Sequence, residues 1–469
     1  MTHTDKAVEL ARGRHAEFLS QYAEILRIPS VSTLPEHRAD VRRMAEWCAD
    51  ELRRLGMTRV EIHDTPVRTA GAPPDDAPGH PIVYAEWLNA PGKPTVLVYG
   101  HYDVQPMDPV HEWESDPFGG DVRGECIYAR GASDMKGQIF AQMKAMECLR
   151  DADGAYPVNV KYLLEGEEEI GSIHLPPFID ANREQLACDV VLNCDAGIHS
   201  PDIPAIVYAL RGLAYFEIEL RAPGRDLHSG LFGGSVRNPI HVLAELIAGM
   251  HDANGRVTLP GFYDRVRPLD DEERALLAQV PWSEGEWLEM TGAAALYGEE
   301  GYTTHERVGA RPTLDVNGIW GGFTGEGAKT VLPARAWAKL STRLVPDQHH
   351  DDIEGMLCAY LETNTPKDVE WKLTVHSRGP GAVMDRGSSY MQCAAAALED
   401  VFGRPPLFKR EGGSVPVVGL FQEKLGVDSI MLGFALPGDG IHGPNEHQHL
   451  PTLFKGVEAY IRFLCRLGG

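Results

Sequence analysis

The chain has 469 residues, a formal net charge of −24 and eight cysteines, with 43% apolar and 24% charged residues. That length exceeds what one core usually serves and predicts two domains, while the ordinary apolar fraction predicts a globular chain. The acidic balance repels phosphate backbones and argues against a nucleic-acid partner.

The cysteines, Cys48, Cys126, Cys148, Cys188, Cys194, Cys358, Cys393 and Cys465, form no Cys-x-x-Cys pair and read as scattered reduced thiols. Residues 1–20 carry no apolar signal-peptide core. No run reaches the roughly 20 apolar residues of a membrane span. The expectation is a cytoplasmic protein without a membrane partner.

From about residue 8 to 55 apolar residues recur at helical spacing (Leu10, Phe18, Tyr22, Ile25, Leu26, then Val41, Met44, Ala45, Cys48 and Leu52), with Gly56 as the stop. Residues 69–81, rich in Pro, Gly and Asp, predict a loop. The run Thr95-Val-Leu-Val-Tyr99 predicts a strand buried on both faces, ending at Gly100-His101-Tyr102-Asp103. Helical spacing resumes after Asp134 through Ile139, Met143, Met146 and Leu149. Strands are expected again over 158–164 and 190–192, running into Glu167–Glu169 and Asp195. Strand, polar cluster, helix, strand is the α/β pattern, and ligands in such sheets gather at the carboxyl ends of the strands.

After about Ile206 the pattern changes. Residues 214–220, 337–345 and 371–375 alternate as half-exposed antiparallel strands do, with helical stretches near 239–250 and 351–361. Residues 429–433 then predict a buried strand and 451–467 an amphipathic helix with Pro451 near its start. The chain reads as a parallel-sheet α/β domain over 1–206 and 383–469, interrupted by an α+β domain over 207–382.

Five clusters offer metal-type ligands, four of them at or after predicted strands and the fifth in a loop. His101 and Asp103 sit two apart, so an extended strand points both the same way, and the carboxylate can orient the imidazole. Asp134 precedes a helix and, taken alone, reads as an N-cap. The triplet Glu167, Glu168 and Glu169 places three carboxylates at the end of a buried strand, which is costly without a cation. Asp195 follows the third strand. His442 stands in a loop stiffened by Gly438, Gly440, Gly443 and Pro444, with His447 and His449 as rival ligands. Two histidines with several carboxylates suit zinc or manganese, and the lack of thiolate ligands argues against a structural zinc.

Four segments stand in the order found in the co-catalytic zinc peptidases: His101-x-Asp103, Gly131-Ala-Ser-Asp-Met-Lys-Gly137, Glu165-Gly-Glu-Glu-Glu-Ile-Gly-Ser172 and Ile441-His-Gly-Pro-Asn-Glu446. That group includes carnosinase, cytosolic non-specific dipeptidase, glutamate carboxypeptidase and succinyl-diaminopimelate desuccinylase. The chain most resembles the carnosinase and non-specific dipeptidase branch, through Gly224-Arg-Asp-Leu-His-Ser-Gly230, Gly325-Glu-Gly-Ala-Lys-Thr-Val-Leu-Pro333, Thr342-Arg-Leu-Val-Pro346 and Arg410-Glu-Gly-Gly-Ser414. The resemblance implies a metallopeptidase domain carrying a ferredoxin-like lid and dimerisation domain. It implies two divalent ions per subunit, zinc or else manganese, with His101 and Asp195 on one, Glu169 and His442 on the other, and Asp134 bridging. Asp103 would orient His101, and Glu168 would be the general base, the triplet being aligned on Gly171-Ser172. The peptide after Asp134 would be cis. His228 would stabilise the oxyanion in the partner's site of a homodimer, Arg343 would hold the substrate's terminal carboxylate, and Thr330 and Ser414 would make polar substrate contacts.

The implied activity is hydrolysis of dipeptides. The rival is removal of an acyl group from an amino acid on the same fold, and a remoter one is an inactive scaffold homologue. Neither Gly131-Ala-Ser-Asp-Met135 nor Gly412-Gly-Ser-Val-Pro416 completes the Gly-x-Ser-x-Gly of a serine hydrolase. Gly230-Leu-Phe-Gly-Gly234 is not a dinucleotide fingerprint.

Overall fold

The computed structural model describes residues 2–66, 78–281 and 283–469. All but the last four residues of the loop expected over 69–81 lie outside them. The chain forms two compact units: Met1–Tyr208, Met384–Phe408 and Phe421–Gly469 make the first, and Ala209–Val383 with Lys409–Leu420 the second. The stretch Lys409–Leu420, assigned with the parallel-sheet domain on sequence, groups with the second unit. Its polar groups are bound there: Arg410 pairs with Glu273, and the Gly412 carbonyl accepts from Arg211 Nε at 3.0 Å. Among the described residues no helix is long and apolar enough to cross a membrane.

The first unit is built on a mixed sheet. Its strand order is Arg59–His63, Ile82–Trp87, Asn159–Glu165, Thr95–His101, Val190–Asn193, Ser429–Met431 and Ala205–Leu210. The middle four strands run parallel and the flanking pairs antiparallel. The parallel strands are the continuous apolar runs, because both faces are covered: Val96, Leu97, Val98 and Tyr99 are all buried. The helix Lys136–Asp153 is buried along most of its length and ends at Gly154, whose φ of +74° closes the last turn. Near its start Gly137 lies where a Cβ would come within 2.3 Å of the Ala132 carbonyl, so only glycine lets the preceding turn pack there.

The second unit holds an antiparallel sheet ordered Thr313–Gly321, Arg335–Leu344, Gly212–Arg221, Glu370–Gly379. The helices Pro239–Gly249 and His350–Asn364 complete the β-α-β-β-α-β ferredoxin-like arrangement. Alternate residues Ala214, Phe216, Ile218 and Leu220 face a core shared with Leu243, Leu340 and Leu357, which is why these strands read with period two. Three helices, Asp271–Leu277, Glu284–Thr291 and Thr304–Ala310, precede the strand Thr313–Gly321. The sequence reading leaves this stretch unassigned.

Candidate metal centre

Every parallel strand of the first unit delivers a site residue at its carboxyl end. The strand Thr95–His101 ends on His101, with Asp103 two residues on. The strand Asn159–Glu165 runs into a short turn at Glu168–Ile170, Val190–Asn193 into Asp195, and Ser429–Met431 into the segment that bears His442. Asp134 comes from the turn before the helix Lys136–Asp153. Its side chain does not cap that helix: the N-cap is Met135 and carries no side-chain cap. The peptide between Asp134 and Met135 is cis, as the resemblance implies.

These residues meet in two overlapping groups. One ligand atom each from His101, Asp134 and Asp195 lies within 4.8 Å of the others, and the same holds for Asp134, Glu169 and His442. Asp134 belongs to both. Its Oδ1 is 3.2 Å from His101 Nε2, and its Oδ2 is 3.0 Å from His442 Nε2. His442 Nε2 also lies 3.2 Å from Glu169 Oε2. His447 and His449 are engaged elsewhere: the strand His447–His449 pairs with Cys126–Tyr128, His447 stacks on Tyr128, and His449 faces Glu125.

Asp103 is fully buried. Its Oδ1 lies 3.4 Å from His101 Nδ1, and its carboxylate accepts the N–H groups of Glu168 and Glu169 at 3.2 and 3.1 Å. One carboxylate thus holds the imidazole and the turn that presents both glutamates. Glu167 is taken up differently. It accepts from the His80 N–H at 2.8 Å and lies 2.7 Å from His174 Nδ1, so it faces the protein interior.

Charge explains why this cluster suits cations. Asp134, Asp195, Glu168 and Glu169 face only two imidazoles. Burial, with Asp134 beside it, pushes Asp195 up to about 7. Burial also drives Glu168 well above the usual carboxylate range. Burial acts to raise Asp134 as well, yet the hydrogen bonds with His101 and His442 hold it well below the usual range. Asp134 and Glu169 in turn push His442 up to about 10. His101 rises well above its ordinary value against its own burial, through Asp103 and Asp134. Gathering more carboxylates than imidazoles at one point favours cations, and the nitrogen and oxygen donor set fits zinc or manganese.

Three further residues serve the cluster that sequence reasoning missed. Gln105 Nε2 donates to Glu169 Oε2 at 2.7 Å. Arg130 is fully buried, and its Nη1 donates to Glu446 Oε2 at 2.7 Å. Glu446 closes the motif that contains His442, and that was its only signal.

The remaining candidates lie in the second unit, as two neighbouring pairs. Arg343 Nη1 donates to Ser414 Oγ at 2.7 Å. His228 pairs with Val331 in the two-stranded ladder of Leu227–His228 with Val331–Leu332, and Thr330 stands just before it, its carbonyl accepting the Ser229 N–H at 3.1 Å. His228 is exposed, and its Nδ1 accepts from the Gly230 N–H at 3.0 Å.

Comparison with known proteins finds similar chains over nearly the whole length. The chain is 33% identical over 463 residues to the Cys-Gly metallodipeptidase DUG1 of Candida albicans, covering 96% of this chain and 95% of that one. It is 30% identical to the human Beta-Ala-His dipeptidase, covering 98% of this chain and 91% of that one. The crystal structure of an M20 family metallo-carboxypeptidase, Sso-CP2 from Sulfolobus solfataricus, superposes with a TM-score of 0.85 at 34% identity over 96% of this chain and 99% of that one. The profile of peptidase family M20/M25/M40 matches residues 97–466, and the chain belongs to that family.

Proposed function

We propose that this metallopeptidase hydrolyses the amide bond of dipeptides at a centre of two divalent ions, zinc in the first place and manganese in the second. The observation that carries the reading is Asp134, whose two carboxylate oxygens face His101 on one side and His442 on the other. His101 with Asp195 would hold one ion, Glu169 with His442 the other, and Asp134 both. Ions held there would polarise the scissile carbonyl and lower the pKa of a water to about 7.

The protein's own groups supply the rest. Glu168 takes the proton of the attacking water and passes it to the leaving amine. Its raised proton affinity suits that exchange. Asp103 keeps His101 and the glutamate turn in register. Arg343 offers a planar fork for the substrate's terminal carboxylate, with Ser414 fixing one arm. Thr330 is assigned a polar substrate contact. His228 is assigned the oxyanion, reached in the partner of a homodimer. The outer strand Thr313–Gly321 with exposed Val316, Ile319 and Trp320, followed by Phe323, supports self-association. The free thiols, none of them fully exposed, fit a reducing compartment, the cytoplasm.

The relatives' names favour peptides over acyl amino acids as substrates, and competent residues at all five ligand positions and at Glu168 disfavour the scaffold reading. The test is hydrolysis of a dipeptide panel beside N-acetyl and N-succinyl amino acids, after chelation and after adding zinc or manganese. Metal-restored dipeptide cleavage is expected. Cleavage of acyl amino acids alone, or metal binding without hydrolysis, would refute the reading.

A further inference from the structure

The two segments that present Asp134 and His442 are about 300 residues apart in sequence, and neither belongs to a helix or strand. His442 is half exposed and sits at φ +63°, in the region that favours glycine. Side-chain contacts with Asp134 and Glu169 do not by themselves explain how such a residue holds a fixed position, so the anchoring must come from beneath.

Glu446 provides it. Its Oε1 accepts the N–H groups of Ser133 and Asp134, both at 3.0 Å. Its Oε2 accepts the Gly131 N–H at 3.0 Å and Arg130 Nη1 at 2.7 Å. Two donors on each oxygen fill the carboxylate's acceptor positions and leave none for a cation. The backbone carbonyl of Glu446 accepts the Ala129 N–H at 3.0 Å. The second arm of Arg130 donates to the Gly443 carbonyl at 3.0 Å, on the residue after His442. Arg130, Gly131, Ser133 and Glu446 are buried, with Asp134 and Gly443 half-buried at the edge, and charge-assisted bonds are strongest away from water.

We propose that Glu446, together with Arg130, is a positioning residue that locks the Asp134 turn and the His442 loop into one rigid unit and thereby sets the affinity of both metal positions. The inference rests on the metal reading above. Glu446 acts on Asp134, which both positions share. The Gly443 arm of Arg130 acts on the His442 position alone.

The test is titration of the chelator-stripped full chain with Zn²⁺ against a chromophoric chelator, with thermal melts of the metal-free protein alongside. Wild type binds two equivalents. Glu446→Gln places two amide hydrogens among these donors and is expected to weaken both equivalents by about 10–100-fold, the usual consequence of losing a partner behind a ligand. Arg130→Lys keeps a positive charge on Glu446 but loses the fork, and is expected to weaken one equivalent by about 10-fold while sparing the other. Ser133→Ala removes a buried bond from the Asp134 turn to Asp439 Oδ2, in the segment that leads to His442, without touching Glu446. It is expected to lower the melting temperature at unchanged Zn²⁺ affinity. Wild-type affinities in Arg130→Lys, or a loss in Ser133→Ala equal to that in Glu446→Gln, would overturn the proposal. Arg130→Lys keeps the test open if Glu446→Gln does not fold. A wild type that binds no Zn²⁺ would instead remove the metal reading itself.

Discussion

Replacing Glu168 with glutamine keeps the shape of the side chain and removes its capacity to take a proton. The Glu168 N–H stays bound to Asp103, and the adjacent Glu169 N–H likewise, so the turn and Glu169 should stay in place. The loss is then confined to proton transfer, worth about 10²–10⁴ in rate, or about 3–5 kcal/mol of barrier. The assay is kcat at saturating dipeptide, with metal content measured on the same preparation. The expected result is two metal equivalents, a nearly unchanged KM and kcat down by at least about 10². A kcat within about threefold of wild type would refute the base assignment. Loss of one metal equivalent in Glu168→Gln but not in Glu169→Gln would move both roles along the triplet by one residue.

Four other outcomes follow from the same geometry. Lowering pH should weaken metal binding, because His442, pushed up to about 10 by Asp134 and Glu169, must give up its proton first; calorimetry in buffers of different ionisation heat should show proton release. Arg343→Ala should lower kcat/KM for dipeptides by about 10–100-fold, matching the loss of a charge-assisted bond, and leave metal content unchanged. Glu165 is pushed up to about 8 by burial, above its unfolded value, so its contribution to stability is present at low pH and lost as pH rises from about 4.5 to 8. Melts of the metal-free protein at pH 5 and 8 should show a smaller drop in Glu165→Gln than in wild type. Ile319→Arg, on the outer strand of the second unit's sheet, should shift the chain from dimer to monomer in sedimentation; a wild-type monomer would refute the dimer.

The parallel strands were legible because burial on both faces forces continuous apolar runs, as at Val96–Tyr99, and the strands of the second unit because one buried face forces alternation, as at Ala214–Leu220. Short or half-covered elements carry neither pattern, and the strands Arg59–His63 and Leu407–Glu411 passed unread. The chain's local chemistry also marked the strand ends where His101, Asp195 and the glutamate triplet stand. The fold alone decided which donors meet. It turned Glu167 toward His80 and His174, left Glu168 and Glu169 facing the cluster, and drew His447 and His449 into a ladder with Cys126–Tyr128. It also placed Glu446 beneath Asp134 across about 300 residues of chain. A strand's periodicity is set by its immediate neighbours and is written locally. A ligand's partners are set by how distant segments close on one another, and no spacing within either segment records that.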